Sequence, residues 1–140
     1  MNKTYESNCR KREPQSSGDW VYRRGDIYLA NLNPFKGSEQ GGTRPVLVLQ
    51  NNDGNIYCPT LIIAPMTTQL KKVDLPTHAL FKRVKGLPLP TMVSLEQIKT
   101  IDKRRVISYL GRLTKDQMAV VDEACMKSLG MIVPECVEAP

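Results

Sequence analysis

The sequence predicts a mainly β fold of the α+β class, a small antiparallel β-barrel covered by one C-terminal α-helix. Three observations lead there. Strand-like apolar runs follow one another across residues 25–66 with short, turn-rich connections, which suits an antiparallel meander. A single stretch, residues 114–130, carries complete helix start and stop signals. The length of 140 residues supports one hydrophobic core but not two.

Residues 1–22 are polar, with Glu13-Pro14-Gln15-Ser16-Ser17-Gly18 as a linker-like centre, and are expected to form a flexible basic arm ahead of a domain spanning residues 23–133. Gly25 to Leu32 alternates into a first strand with Ile27 and Leu29 on one face, and Asn33-Pro34 ends it. Pro45 to Asn51 is almost wholly apolar, as a central strand should be. Asn52-Asp53-Gly54-Asn55 has the chemistry of a tight turn into the next strand, Thr60 to Met66. His78 to Val84 and Thr91 to Leu95 are shorter strands, split by Lys85 to Pro90, whose prolines forbid regular structure. Val106 to Leu113 is the last strand. In the helix Thr114 and Gln117 make a capping box, Asp116 suits the first turn, Lys127 the last, and Gly130 the left-handed stop. Met118, Val121, Cys125 and Leu129 recur at helical spacing and should cover an open face of the sheet. Residues 134–140 form a tail.

Composition narrows the chemistry. With 20 Lys and Arg against 14 Asp and Glu the net charge is +6, which favours an anionic partner such as nucleic acid. Residues 1–24 hold six of those basic and three of those acidic residues, so half of the surplus lies in or beside the arm. No apolar run approaches the ~20 residues that span a bilayer, and no charged-then-apolar leader opens the chain, so no membrane role is expected. Cys9, Cys58, Cys125 and Cys136 form no CxxC pair, which fits reduced thiols in a cytoplasm. His78 is the single histidine, and it follows Pro76-Thr77, away from the Gly-rich stretch at residues 37–42, so it is expected to be a structural or surface residue and not a catalyst. A two-histidine acid-base pair is excluded by count. Carboxylates are spread singly apart from Asp122-Glu123 on the helix, so neither a metal pair nor another cofactor is indicated. Were the anionic partner RNA and the chemistry its cleavage, these parts would have to work by charge stabilisation with a nucleophile already in the substrate, the 2′-OH.

The stretch Gly37-Ser38-Glu39-Gln40-Gly41-Gly42-Thr43-Arg44-Pro45 is the candidate functional loop. Three glycines let its backbone come close to a ligand. Arg44 precedes Pro45 and is therefore held extended at the start of the next strand, presenting a planar fork of donors suited to phosphate.

That loop, with Arg24-Gly25-Asp26 before it and Pro45-Val46-Leu47-Val48-Leu49-Gln50-Asn51 after it, resembles the MazF/PemK family, the ribonuclease toxins of bacterial toxin–antitoxin pairs. The likeness continues through Pro59-Thr60 to Met66-Thr67, Leu75-Pro76-Thr77-His78 and Leu95-Glu96-Gln97-Ile98-Lys99-Thr100-Ile101-Asp102, and covers roughly residues 23 to 130. The resemblance implies an SH3-like barrel working as a cytoplasmic homodimer. It also implies sequence-specific, metal-independent cleavage of single-stranded RNA, by attack of a 2′-OH that leaves a 2′,3′-cyclic phosphate and a 5′-OH, under control of a cognate antitoxin.

By the same resemblance the catalytic pair falls on Arg44, holding the scissile phosphate, and Thr67, donating a hydrogen bond to its oxygens; Thr68 is the neighbouring hydroxyl. Glu39 is the nearest carboxylate to the loop's arginine, as a base for the 2′-OH, as a support for Arg44, or as a cap for backbone amides. Ser38, Gln40 and Gln69 suit base-edge or phosphate contacts, and Gln97 belongs to a segment that the family places near the binding groove. Two other classes compete: a non-catalytic barrel of similar fold that poisons a target such as DNA gyrase, and a plain basic RNA-binding barrel. The latter needs stacking aromatics, and two Phe, five Tyr and one Trp show no paired platform in the sequence.

Overall fold

A computed structural model describes residues 20–132; most of the N-terminal arm and the C-terminal tail lie outside these. Three strands open the fold in an antiparallel meander, β1 (Asp26–Asn31), β2 (Thr43–Val48) and β3 (Thr60–Thr67). β4 (His78–Phe81), β5 (Thr91–Ser94), β6 (Lys99–Asp102) and β7 (Val106–Arg112) follow, and the helix α2 (Lys115–Ser128) closes the described part of the chain. The ladder order is β4-β5-β3-β2-β1-β7, with β6 also paired to β3. β3 is thus shared: its first half pairs with β6 and its last two residues, Met66 and Thr67, with β5.

The second half of β2, Val46 to Val48, is apolar because it is covered on both faces. Leu47 joins Ile27, Met66 and the helix residues Met118 and Val121 in one core, while Val46 and Val48 join Tyr28, Leu61 and Ile63 in a second core on the other side. The same alternation explains β1, where Ile27 and Tyr28 are both buried but face opposite ways. Burying such side chains contributes about 1.5–3 kcal/mol each.

Several expectations are corrected. The mainly antiparallel β fold with its C-terminal helix is as expected, while β4 and β7 are the two ends of the ladder path, so among the described residues the sheet is open in its hydrogen bonding where a closed barrel was expected. The loop after β4 crosses β7 at two glycines: a Cβ on Gly86 would lie 2.1 Å from the Leu110 carbonyl oxygen, and one on Gly111 2.3 Å from that of Lys85. The turn expected at residues 52–55 is a short helix, α1 (Asn52–Tyr57), because Asn51 acts as an N-cap, its Oδ1 accepting from the Gly54 N–H at 2.9 Å. Buried Asn55 then exchanges hydrogen bonds with Gln50, and the buried Lys103 donates to the Asn55 carbonyl at 2.6 Å. β6 has a single fully buried side chain, Ile101, too weak a pattern to read as a strand.

The helix forms as its caps dictate: the Gln117 N–H donates to Thr114 Oγ1 at 3.1 Å and the Thr114 N–H to Gln117 Oε1 at 2.9 Å. Gln117 also donates to the Arg83 carbonyl, tying the helix start to the sheet. Met118 and Val121 are buried, but Leu129 leaves the apolar stripe at 61% exposure and Ala124 takes its place. Arg24 pairs with Asp122 across the helix and the β1 entry. Trp20 and Tyr22, expected within the loose arm, are docked on Tyr28; the Trp20 indole donates to the Tyr28 hydroxyl at 3.0 Å. Cys58 is disulfide-bonded, contrary to a fully reduced set, while Cys125 is a free, half-buried thiol.

Candidate functional site

Arg44 begins β2 and Thr67 ends β3. The β2–β3 register pairs Val46 with Pro65, and extending it by two residues sets Arg44 opposite Thr67. Arg44 Nε donates to the Gly41 carbonyl at 2.8 Å, which fixes the guanidinium plane. Among the described residues nothing accepts from its terminal nitrogens, so the two-nitrogen edge of the fork remains for a ligand. Thr67 Oγ1 accepts from the Gln69 N–H at 3.1 Å, leaving its hydroxyl proton available to donate.

The Gly-rich loop is held by its own short bonds. Gly42 N–H donates to Asn33 Oδ1 at 2.8 Å, and Lys36 N–H to Glu39 Oε1 at 2.6 Å. Gly42 takes φ +79°, and Gly41 lies flat under the Phe35 ring, where a Cβ would come within 1.8 Å of the ring carbon Cδ1. The glycines are required at these two points, one by backbone conformation and the other by close approach.

The opposite wall comes from residues 68–78. Lys72 takes φ +52°, and its carbonyl meets His78 Nδ1 at 2.8 Å. A carbonyl only accepts, so Nδ1 carries the proton. His78 Nε2 lies 2.7 Å from Glu96 Oε1, and the Thr77 hydroxyl donates to Glu96 Oε2 at 3.2 Å. The histidine side chain is 7% exposed.

Together these elements enclose a groove of about 570 Å³. Its lining includes Gln40, Arg44, Thr67, Thr68 and Gln69, so the structure gathers five of the eight residues singled out from sequence. Ser38 and Glu39 are not in the lining; the Glu39 carboxylate caps the Lys36 amide. Gln97 turns its amide onto the loop backbone, accepting from Gln40 N–H at 3.3 Å and donating to the Ser38 carbonyl at 3.4 Å.

Sequence reasoning missed Lys71, Lys72, His78 and Glu96, all of which line the groove. His78 was expected away from the loop. The ladders correct this, since β5 pairs with the end of β3 at Thr67↔Met92 and with the start of β4 at His78↔Ser94. The Lys71-Lys72 doublet, on the same link as the threonine, was the readable signal. Arg44, Lys71 and Lys72 stand against the single carboxylate Glu96 in the lining, which makes the groove a site for an anionic ligand.

Elsewhere, Trp20, Tyr22, Tyr28 and Tyr109 border a smaller hollow of about 280 Å³ that shares no lining residue with the groove. Their rings meet tilted or edge-on, with centroids 4.9–6.2 Å apart, as packing partners do. Burial pushes the Tyr28 and Tyr22 hydroxyls up from the usual tyrosine range and Lys103 down from that of lysine. Among the described residues no three of His, Cys, Asp or Glu converge as a metal-binding set, and no helix is long and apolar enough to cross a membrane.

Comparison with known proteins adds a family. The family described as PemK-like, MazF-like toxin of type II toxin-antitoxin system matches residues 23–129. Among solved structures, MazF from Deinococcus radiodurans aligns at 28% identity and a TM-score of 0.71, covering 81% of this chain and 100% of that one. A MazE–MazF structure from the same organism gives 28% and 0.65 over the same shares. An endoribonuclease in complex with its cognate antitoxin from a Mycobacterial species shares the fold, at 24% identity and a TM-score of 0.68, over 81% of this chain and all of that one.

Proposed function

The chain belongs to the PemK-like, MazF-like toxin family of type II toxin–antitoxin systems, and from that membership we propose that it is an endoribonuclease that cuts single-stranded messenger RNA at a short sequence in the cytoplasm. The observation that carries this reading is the pairing of a half-free guanidinium with an open hydroxyl on facing strands of a cationic groove.

The scissile phosphate lies against Arg44, whose terminal nitrogens neutralise charge gathering on the non-bridging oxygens. Thr67 donates a further hydrogen bond to the same oxygens. The substrate's own 2′-OH attacks phosphorus in line, the bond to the 5′ oxygen breaks, and a 2′,3′-cyclic phosphate and a 5′-OH remain. Glu39 supports the loop through Oε1 on the Lys36 amide, outside the lining of the groove. Gln40, Thr68 and Gln69 line the path of the strand and contact bases or flanking phosphates. The toxin acts as a homodimer, and an acidic antitoxin segment occupies the same cationic groove in competition with RNA.

The test is cleavage of a mixed-sequence RNA in excess EDTA. Discrete cuts are expected, with upstream fragments one water lighter than the linear phosphate. A single deoxyribose on the 5′ side of a cut should abolish that cut while binding persists. Cleavage of the deoxy strand, or activity lost to chelator and restored by magnesium, refutes the mechanism. Binding without any cuts points instead to a toxin that only binds.

A further inference from the structure

The two walls of the groove come from segments far apart in the chain, residues 36–44 and 68–78, yet both are fastened to one turn. That turn is the 3₁₀ turn Leu95–Gln97. Glu96 takes the Thr77 hydroxyl on one carboxylate oxygen and His78 Nε2 on the other, and His78 in turn holds the Lys72 carbonyl. Gln97, the next residue, spans the Gly-rich loop with the two ends of its amide, on Gln40 N–H and the Ser38 carbonyl. The turn itself is anchored: Leu95 is fully buried, its N–H donates to the Thr77 carbonyl at 2.9 Å, and its carbonyl accepts from the Ser128 hydroxyl of α2 at 2.8 Å.

Neighbouring residues on a short turn cannot move independently, so the distance between the walls is set by this brace. We propose that Glu96 and Gln97 are positioning residues that hold the groove open at the width its substrate needs, Glu96 through Thr77 and His78 and Gln97 through the loop that carries Gly41 and Arg44. This deepens the ribonuclease reading and rests on it.

The alternative role for Glu96, that of a base acting on the substrate, makes the opposite demand on its chemistry. A glutamine in its place still accepts from Thr77 through oxygen and, through nitrogen, can donate to Nε2 of a neutral His78 whose proton sits on Nδ1 against the Lys72 carbonyl. Bracing therefore survives Glu96→Gln, whereas proton abstraction does not. Gln97→Met keeps the size of the side chain and removes both of its arms.

The effect falls on binding, because walls that are not held must be ordered by the substrate. Gln97→Met and Glu96→Leu should each raise KM for a cleavable RNA, and Kd for its deoxy-blocked form, about tenfold, with a smaller change in kcat. Glu96→Gln should recover most of that loss.

Amide hydrogen exchange on the free protein reads the brace without RNA: Gln97→Met should speed exchange in residues 37–42 and leave 69–77 unchanged, and Glu96→Leu the reverse. The proposal is overturned if both variants keep wild-type KM, if exchange does not separate the two walls, or if Glu96→Gln is as impaired as Glu96→Leu. Absence of cleavage by the wild-type protein would overturn the ribonuclease reading alone, since exchange still tests the brace.

Discussion

Replacing Arg44 by lysine keeps the charge and removes the geometry. The guanidinium places Nε on the Gly41 carbonyl and leaves its two-nitrogen edge for the phosphate proposed to bind there; an ammonium offers a single point on a flexible stem. Loss of a preorganised donor to a developing oxyanion costs roughly 2.7–4 kcal/mol, or ~10²–10³ in rate. Loss of the Gly41 anchor adds about 1 kcal/mol by loosening the loop. Arg44→Lys should therefore lower kcat/KM for a defined RNA by about three orders of magnitude, while kcat carries most of the fall. The fold should hold, because Arg44 is half-buried and belongs to neither hydrophobic cluster. Single-turnover cleavage of a fluorescent oligonucleotide gives the rate, and a thermal melt the stability. A folded variant within tenfold of wild type would show that charge alone suffices and would refute the role given to the fork.

Gly86→Ala should destabilise the protein by about 2–4 kcal/mol, since the new methyl meets the Leu110 carbonyl and the backbone sits at φ +96°; a melting temperature within two degrees of wild type would contradict the crossing described here. Stability should also fall as pH rises above 10. The Tyr28 hydroxyl is held above its unfolded value by burial, so beyond pH ~10 the unfolded chain loses a proton that the folded chain keeps, and each pH unit costs up to about 1.4 kcal/mol. Denaturant midpoints between pH 8 and 11.5 would check this, and a flat profile would count against it.

The sequence is most legible where local and long-range demands coincide. The helix could be placed from Thr114, Gln117 and Gly130 because caps act within one turn, and β1 to β3 because consecutive strands need only short connections. Arg44 and Thr67 could be named together through a family resemblance, and the register shows why they meet. What could not be read is whatever depends on non-neighbouring ladders. His78 and Glu96 reach the groove only because β5 pairs with both β3 and β4, and nothing in either residue's own vicinity encodes that pairing. Gln97 was expected at the groove as a substrate contact, whereas its amide lies on the loop backbone; the two could not be told apart, since an amide serves a ligand or a backbone with the same two atoms. The helix α1 was misread because asparagines mark turns and caps alike.

The sharing of β3 also orders events during synthesis. Its partner β2 precedes it in the chain, whereas β5 and β6 follow it. A nascent chain that has left the ribosome only as far as Asp74 already contains Arg44 and Thr67, but neither His78 nor the turn that fastens the two walls. A chain cut short there thus carries Arg44 and Thr67 without the turn that spans the two walls.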